Sequence, residues 1–429
     1  MPHRLPDGLL LGCATAAHQV EGGLVNDWSA WTGDHPEAIA DLSDATLAID
    51  HYRRYREDLE QLASMHETAH RFSVEWARVE PEPGRFDNAA LAHYADVVRT
   101  CRRLGMEPIV TLHHFTLPRW LAEAGGVAAP DAPRRFARYA AACAEAFGDM
   151  VTWWVTLNEP SVLATLGYLE GLWPPGKRSL RRTVEASRGL LRMHAAAVHA
   201  IRTASTTRGI MPELSIAHHE RRLFPRPRGT RLDRAVATLP DFLFNRWFLR
   251  CCMSGHLLPP FGSGEPVPGL MGSLTYLGVN HYSNEAISFD LRSPRTLFTR
   301  HEAVPGLPRS SIGWAIDPAA FRLALIDLHE EFRLPILITE NGVADDHDEL
   351  RPAYLRGHLA AMAEAIDAGV DIRGYLYWTA WDNFEWLEGY SQRFGLFSVD
   401  RDTMERKAKP SAALYAEICR TRVVPDTVT

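Results

Sequence analysis

Two glutamates stand at the ends of apolar runs that lie far apart in the chain. Glu159 follows the run 152–157, and Glu340 follows the run 336–339. A carboxylate at the end of a buried strand is costly in free energy unless it faces a polar site. Two carboxylates across a sugar-sized gap can hydrolyse a glycosidic bond. A separation of about 5–5.5 Å suits a retaining mechanism, and about 6.5–9.5 Å leaves room for the water of an inverting one.

The residues next to the two glutamates fit this interpretation. Pro160 favours an extended backbone at Glu159, which would keep that side chain with the strand. Gly342 permits a tight turn after Glu340. Taken alone, Glu-Pro is typical of a turn or a helix start, and Glu-Asn-Gly is typical of a surface turn. Their joint position at two strand ends favours a functional pair.

The elements that would position the glutamates form a repeating pattern. Short apolar runs typical of buried parallel strands occur at 9–14, 68–74, 107–113, 152–157, 214–218, 276–281, 336–339 and 372–378. Segments with the apolar spacing of helices lie between them at 89–104, 133–147, 185–204, 318–332 and 352–368. Alternating strands and helices predict an α/β fold, and eight repeats predict closure into a (β/α)8 TIM barrel.

The periodicity of the sequence is also compatible with an open, doubly wound sheet. The barrel is favoured because Gly12, Gly22 and Gly23 lack the spacing of a nucleotide-binding fingerprint. Polar residues also recur at the C-terminal ends of several strands, where a barrel has its active site. The Gly- and Pro-rich stretch 254–273 is expected to be a long loop. We therefore expect a single catalytic barrel domain over residues 1–429.

Composition argues against several classes of partner. The net charge of −7 leaves no basic surplus for nucleic acid, and the arginine-rich run 221–234 is expected to be solvated. No run reaches the 18 or so apolar residues that a bilayer span needs. Residues 9–17 resemble a short signal segment, but Asp7 and the length of the run favour a first buried strand. The sequence carries no signal for an oligomeric state.

Cysteine and histidine usage bears on location and cofactors. The six cysteines, at positions 13, 101, 143, 251, 252 and 419, form no Cys-x-x-Cys pair. Free thiols in a reducing cytoplasm are the simplest interpretation. His218, His219 and Glu220 are adjacent, but strand alternation sends neighbouring side chains to opposite faces. We predict no metal site and no cofactor.

Long motifs follow one another along the chain: ATAAHQVEG at 14–22, RFSVEW at 71–76, LHHFTLPRW at 112–120, TLNEP at 156–160, LGVNHY at 277–282, ITENG at 338–342, YWTAWDNFEWLEGY at 377–390 and RFGLFSVD at 393–400. Together they resemble glycoside hydrolase family 1, the β-glucosidase family, from about residue 8 to about residue 415. The length and order of these motifs make the resemblance specific. It implies a retaining exo-β-glycosidase that hydrolyses β-D-glucosides, with β-fucosides and β-galactosides as further substrates.

The resemblance also implies roles for individual residues. Glu159 would be the acid/base and Glu340 the nucleophile. The glycone subsite would be formed by Gln19, His114, Asn158, Glu385 and Trp386, with Trp378 as its floor. Arg71, Asn280 and Tyr282 would lie close to the nucleophile.

The chemistry of these side chains agrees with a sugar site. Gln19 and Glu385 can each hold two neighbouring hydroxyl groups, and the bond to a charged acceptor is the stronger. Trp378 and Trp386 offer apolar faces to the C–H side of a pyranose. Asn158 is expected to reach the 2-hydroxyl, whose hydrogen bond strengthens in the transition state. His113, in contrast, is expected to be a packed neighbour.

Two further expectations concern protonation and backbone. Arg71 and Tyr282 are expected to keep Glu340 ionised, and the charge of Glu340 together with partial burial is expected to raise the pKa of Glu159. The resemblance also implies a cis peptide bond between Trp378 and Thr379.

Departures from the family pattern bear on specificity. The chain is short for the family, so its mouth loops are expected to be trimmed. Trp381 stands where a smaller aliphatic residue is common and is expected to tighten the site. Glu385 would repel a phosphate, so we expect an unphosphorylated glycone, with glucose first.

Two other functions share these features. Transglycosylation uses the same catalytic residues, with an alcohol or sugar in place of water. A catalytically silent sugar-binding barrel is disfavoured because Glu159 and Glu340 are both present.

Overall fold

The computed structural model describes residues 2–206, 209–226, 229–293 and 298–426. At its centre eight parallel strands form a closed barrel: β1 Leu10–Ala14, β2 Ala69–Ser73, β3 Glu107–His113, β4 Trp153–Asn158, β5 Glu213–His219, β6 Leu277–Asn280, β7 Ile336–Asn341 and β8 Ile372–Trp378. Each strand pairs with the next, and β8 closes on β1, where Trp378 lies opposite Ala14. The predicted barrel is confirmed, and the open sheet was the wrong alternative.

One helix of the outer layer follows each strand. These helices are α1 His51–Ser64, α2 Asn88–Arg103, α3 Ala132–Phe147, α4 Leu180–Thr206, α5 Trp247–Ser254, α6 Pro318–Phe332, α7 Arg351–Asp367 and α8 Pro410–Thr421. They surround the barrel and bury one apolar face each. In α3, for example, Phe136, Tyr139, Cys143 and Phe147 are buried at helical spacing, because three- and four-residue steps place side chains on one face.

Shorter elements connect the strands and helices. The short α-helices are Ala17–Val20, Asp27–Asp34, Trp76–Val79, Arg119–Glu123, Pro160–Leu163 and Arg231–Asp241. Turns of 3-10 helix cover Pro36–Ala38, Gly126–Ala128, Gly148–Met150 and Trp386–Glu388, and π-helical segments cover Ala164–Glu170 and Phe242–Arg246. The remaining strands are His3–Arg4, Leu223–Pro225, His256–Leu257, Glu265–Pro266, Glu285–Phe289, Thr299–Ala303, Phe397–Val399, Arg406–Ala408 and Val423–Val424.

The core has two layers. A large cluster of buried apolar side chains lies between the strands and the helices, and it includes the fully buried Trp154 and the nearly fully buried Trp247. A smaller cluster fills the barrel interior with residues such as Ile109, Val155 and Leu337. All six cysteines are buried and unpaired. The side chains at the C-terminal strand ends are therefore held from below by a packed interior.

Several element boundaries differ from those predicted. Strand β7 continues to Asn341 and so contains Glu340, because the carboxylate is paired inside the barrel and does not end the strand. Helix α4 begins five residues before the predicted 185. The stretch 254–273, predicted as a loop between helix five and strand six, also carries two short strands, His256–Leu257 and Glu265–Pro266.

The arginine-rich run was predicted to be solvated, and this was wrong for its first residues. Arg221 pairs with Glu285 at 3.2 Å, and Arg222 pairs with Asp327 at 2.9 Å. Residues 227 and 228 lie outside the described residues. The run is thus tied by ion pairs to the strand Glu285–Phe289 and to helix α6 before it enters the helix Arg231–Asp241.

In the described part of the chain, every helix is too short or too polar to span a bilayer. Among the same residues, no cluster of three or more His, Cys, Asp or Glu side chains has the arrangement of a metal site.

Candidate active site

A cavity of about 530 Å³ opens at the C-terminal ends of the strands. Eight of the residues singled out in the sequence line it: His114, Asn158, Glu159, Tyr282, Glu340, Trp378, Glu385 and Trp386. The other three, Gln19, Arg71 and Asn280, are fully buried around it and hydrogen-bond to residues of the lining. The barrel therefore brings all the predicted site residues together.

Glu159 lies directly after β4 in a left-handed backbone conformation, with φ 43° and ψ 58°. The extended conformation predicted from Pro160 was wrong, because the chain must turn sharply between the strand and the helix Pro160–Leu163. The N–H of Glu159 still donates to the carbonyl of Ala217 on β5, at 2.8 Å. Such strained residues cost about 1–3 kcal/mol and cluster at functional sites. The turn fixes the direction in which this carboxylate leaves the strand.

Two donors hold one oxygen of Glu159. The amide Nδ2 of Asn280 donates to Oε1 at 2.8 Å, and Nδ1 of His219 lies 2.9 Å from the same oxygen. Sequence analysis considered His219 only as a metal ligand and missed this contact. The signal was strand alternation: His218 points away and contacts Glu220 at 3.2 Å, so that His219 must face the cavity.

Glu340 is held by a cation and a hydroxyl group. Arg71 Nη1 donates to its Oε1 at 2.5 Å, and the hydroxyl group of Tyr282 donates to its Oε2 at 2.5 Å. Arg71 is completely buried inside the barrel. Its guanidinium is itself positioned by the hydroxyl group of Thr111, which accepts from Nε at 2.9 Å. Both oxygens of Glu340 are thus fixed in direction.

A hydrogen-bond network connects the two carboxylates. Arg71 Nη2 donates to Oδ1 of Asn158 at 2.7 Å, and Nδ2 of Asn280 donates to the same oxygen at 3.1 Å. Asn280 is oriented by the hydroxyl group of Thr339, which donates to its Oδ1 at 2.7 Å. Because Asn280 also reaches Glu159 and Arg71 reaches Glu340, both carboxylates lie on the wall of one cavity.

The protonation of the pair differs from the prediction. Burial raises the pKa of Glu340 to about 7, and the charge of Glu159 adds to this, although Arg71 and Tyr282 oppose it. Burial would also raise the pKa of Glu159, but the charge and hydrogen bond of His219, with Asn280, bring it below its usual range. The expected raised pKa of Glu159 was wrong because His219 was not foreseen. Two interacting carboxyl groups share their protons, and this pair holds one below about pH 7.

The far end of the cavity carries polar groups of the predicted glycone subsite. Gln19 Nε2 donates to Oε2 of Glu385 at 3.2 Å, and Trp378 Nε1 donates to Oε1 of Glu385 at 3.3 Å. The buried Oε1 of Gln19 has no hydrogen-bond partner among the described residues. Burial raises the pKa of Glu385 to about 8. Unsatisfied buried acceptors are costly, so this end is suited to a ligand that brings hydroxyl groups.

His114 lies between the indole rings of the cavity. Its ring is nearly parallel to those of Trp378 and Trp386, with centroids 5.8 Å and 6.2 Å away. Its Nε2 lies 3.1 Å from Nδ2 of Asn158, and burial lowers its pKa, so the imidazole is neutral. His113 instead packs against Phe136, at 6.3 Å between ring centroids, as predicted.

The ends of β7 and β8 approach each other closely. A Cβ atom on Gly342 would lie 1.9 Å from the carbonyl oxygen of Trp378. Gly342 does not adopt a left-handed φ, so the prediction that it is needed for a tight turn was wrong, and close packing is the reason for glycine. The peptide bond between Trp378 and Thr379 is cis, as predicted.

Trp381 does not tighten the site, contrary to the prediction. Its fully buried ring packs near His51, 5.4 Å between centroids, and its Nε1 donates to Gln61 at 2.9 Å. Gln61 belongs to α1, so this indole fills space outside the barrel mouth. The larger side chain is accommodated in the outer core.

A second cavity of about 270 Å³ adjoins the first on the Glu159 side. Its walls include the segment that directly follows Glu159, from Pro160 to Thr165, and the apolar side chains Leu243, Phe244 and Phe248. Thr165, Glu170 and Phe244 border both cavities. The walls of this second cavity are therefore mostly apolar.

Comparisons with known proteins agree with this geometry. The sequence matches the model of glycosyl hydrolase family 1 over residues 1–423. It is 33% identical to β-glucosidase A of Thermotoga maritima across 99% of both chains. A family 1 β-glucosidase structure from Thermotoga maritima has a TM-score of 0.91 at 31% identity, covering 99% of this chain and 100% of that one. A β-glycosidase from Pyrococcus horikoshii has a TM-score of 0.90 at 31% identity, covering 99% and 97%. A Thermotoga maritima β-glucosidase in complex with glucoimidazole has a TM-score of 0.89 at 32% identity, covering 98% and 99%.

Proposed function

The chain belongs to glycosyl hydrolase family 1, and from this membership we propose that it is an exo-acting β-D-glucosidase in which Glu340 is the nucleophile and Glu159 the acid/base. Retaining double displacement is general for the family. The observation that carries the residue assignment is the difference between the two carboxylates. Arg71 and Tyr282 hold both oxygens of Glu340, whereas Glu159 has both its donors on a single oxygen.

In the first step, Glu340 attacks the anomeric carbon of the bound glycoside. In the reactive form the single proton of the pair lies on Glu159. The bond between the anomeric carbon and the glycosidic oxygen breaks as Glu159 gives this proton to that oxygen, so that the leaving group departs as a neutral alcohol. We expect about 5–5.5 Å between the two carboxyl groups, as a retaining mechanism requires. Arg71 and Tyr282 then support the carboxylate that becomes an ester.

In the second step, Glu159 acts as a base. It takes a proton from water as the water oxygen attacks the anomeric carbon, and the ester to Glu340 breaks. The loss of the negative charge on Glu340 during the first step lowers the pKa of Glu159, because the like charge is gone. One pair of carboxyl groups can thus serve both steps.

The glycone would bind over Trp378, with its hydroxyl groups against Gln19 and Glu385. The free Oε1 of Gln19 and the carboxylate of Glu385 can accept from neighbouring hydroxyl groups, and the indole face covers the C–H side of the ring. Glucose is the first expected glycone, with fucose and galactose as further substrates. A phosphorylated sugar is disfavoured because Glu385 stands where a phosphate would need a cation.

The leaving group would lie on the Glu159 side, where the two cavities meet. The apolar walls formed by Leu243, Phe244 and Phe248 favour aryl or alkyl leaving groups. An octyl β-glucoside should therefore have a lower KM than methyl β-glucoside. Equal KM values for the two would contradict this assignment.

Transglycosylation remains the second candidate, because an alcohol can replace water in the second step with no change of residues. Product analysis with an added alcohol acceptor separates the two outcomes. The whole chain would act as one domain, and the six free thiols support a reducing compartment such as the cytoplasm.

Replacement of the nucleophile tests the proposal. Glu340→Gln keeps the size of the side chain and one acceptor oxygen for Arg71 or Tyr282 but removes the attacking carboxylate. We expect kcat on aryl β-glucosides to fall by a factor of roughly 10⁴ or more, with an unchanged circular dichroism spectrum. Normal turnover by a folded variant would refute the assignment.

A further inference from the structure

His219 is the last residue of β5 and has a fixed ring position. Its ring meets that of Phe244 edge-on, with centroids 5.7 Å apart, and that of Tyr282 at 6.0 Å. Its side chain is 12% exposed and borders the cavity. The ring therefore contacts Glu159 directly and also contacts the tyrosine that holds Glu340.

The hydrogen bonds of Glu159 make its two oxygens unequal. Asn280 Nδ2 can only donate, so Oε1 of Glu159 accepts that bond. His219 Nδ1 donates to the same Oε1 whenever it carries a hydrogen. Oε2 has no such partner among the described residues. An oxygen that accepts two hydrogen bonds is the poorer site for a proton, so the proton of a neutral Glu159 belongs on Oε2.

Other ionisable groups surround His219 and contribute to the electrostatic potential at its ring. Glu159 and Glu340 lie at the ends of β4 and β7 and line the same cavity. Glu285 also lines it and pairs with Arg221 and His301. His218 and Glu220 flank it along the chain, and His281 lies on the loop after β6. Of the groups named here, only Glu159 is within hydrogen-bond distance of the ring in the described structure. A substitution of His219 should therefore act on the site mainly through Glu159.

We propose that His219 is a positioning residue for the acid/base, reserving Oε1 as an acceptor so that Oε2 delivers the proton. This inference rests on the proposed function and adds to it a control of the acid step.

The test is kcat/KM for an alkyl β-glucoside, a substrate that needs full protonation of its leaving group. His219→Leu should lower this kcat/KM several-fold, because Oε1 loses a donor and no longer serves only as an acceptor. His219→Gln keeps an N–H donor and should restore most of the loss.

Two controls separate this role from a structural one. With 2,4-dinitrophenyl β-glucoside, whose leaving group departs without protonation, His219→Leu should lose much less kcat/KM than with the alkyl β-glucoside. His301→Gln changes another histidine at the cavity, one that contacts Glu285 at 2.6 Å, and should leave the ratio of kcat/KM for the two substrates at its wild-type value. Each variant is checked by circular dichroism, and His219→Asn, which also carries an amide donor, replaces any variant that does not fold.

Wild-type kcat/KM on the alkyl β-glucoside in folded His219→Leu would overturn the inference. An equal loss of kcat/KM on both substrates would overturn it as well. Either result would leave the proposed function intact if Glu340→Gln is inactive, so the two failures are distinguishable.

Discussion

Glu159 and Glu340 are identical side chains that receive different donors. The guanidinium of Arg71 and the hydroxyl group of Tyr282 fix both oxygens of Glu340. The amide of Asn280 and the ring of His219 reach only Oε1 of Glu159. A nucleophile must be aimed, and an acid must have one oxygen left for its proton. At the scale of residues, the partners therefore determine the roles.

The acid role of Glu159 predicts a dependence on the leaving group. Glu159→Ala should lower kcat/KM on alkyl β-glucosides by about 10²–10⁴-fold, because such leaving groups need general acid assistance. Substrates with very good leaving groups, such as 2,4-dinitrophenyl β-glucoside, should lose much less. Steady-state kinetics on a series of aryl glucosides checks this, and equal losses across the series would argue against Glu159 as the acid.

At the same scale, the sequence predicted which residues meet but not their protonation. The motifs around Asn158, Glu340 and Glu385 gave the members of the site. The pKa directions of the two catalytic carboxylates came out opposite to the expectation, because His219 lies beside one and burial dominates the other. A side-chain contact between β4 and β5 depends on strand register and rotamers, which a sequence motif does not carry.

The strand ends position these groups through close backbone contacts. Gly12 on β1 leaves no room for a side chain, because a Cβ atom there would lie 1.7 Å from the carbonyl oxygen of Ala69. Gly342 plays the same part between the ends of β7 and β8. Tyr415 of α8 donates to the carbonyl of Gly12 at 2.8 Å, which fastens the outer helix to the closing strand. These glycines thus set how closely the strands that form the walls of the site approach each other.

Gly342→Ala should therefore damage the site as well as the fold. The added methyl group must displace the Trp378 carbonyl, and overpacking of this kind costs typically about 1–3 kcal/mol. We expect a lower unfolding midpoint in urea and a higher KM for aryl β-glucosides, since Trp378 would move from its place under the sugar. The matched control is Gly33→Ala, because Gly33 has open space around it and no left-handed φ. Gly369→Ala would not serve, because the φ of Gly369 is left-handed. A stability and KM equal to those of Gly33→Ala would contradict the packing argument.

Periodicity predicted the elements well because each strand is buried on both faces. The eight runs appear within a few residues of their observed positions, and helix α6 at Pro318–Phe332 matches the predicted 318–332. The left-handed turn at Glu159 was not foreseen, since the preference of a residue before proline is local. Here the tertiary demand to enter the helix Pro160–Leu163 overrides it.

At the scale of the whole molecule, many ionisable groups are buried in neutral form. Burial raises the pKa of five carboxyl groups to about 7 or 8: Asp27, Glu67, Glu75, Glu340 and Glu385. Burial also lowers the pKa of several histidines to about 3 or 4, among them His18, His70, His113, His194, His281 and His358. Folding therefore changes the number of bound protons over a broad pH range.

These shifts predict the pH dependence of stability. Above about pH 7.5 the buried histidines are neutral in both the folded and the unfolded chain, because an ordinary histidine pKa is about 6.5. The carboxyl groups with a pKa near 8 still hold protons there in the folded chain but not in the unfolded one, so the free energy of unfolding falls as pH rises, by at most about 1.4 kcal/mol per pH unit for each group. Thermal unfolding at pH 7.5, 8.0 and 8.5 should give a decreasing midpoint. A midpoint that rises across this range would contradict the neutral burial of these carboxyl groups.

The most direct test of the central claim is to trap the covalent intermediate. A 2-deoxy-2-fluoro-β-glucoside with a good leaving group slows both steps, because fluorine removes the 2-hydroxyl contact and destabilises the oxocarbenium-like transition state, while the leaving group keeps the first step faster than the second. Peptide mass spectrometry should then find one fluoroglucosyl group per chain, attached to Glu340. Attachment to another residue, or continued turnover with no attached sugar, would contradict the account.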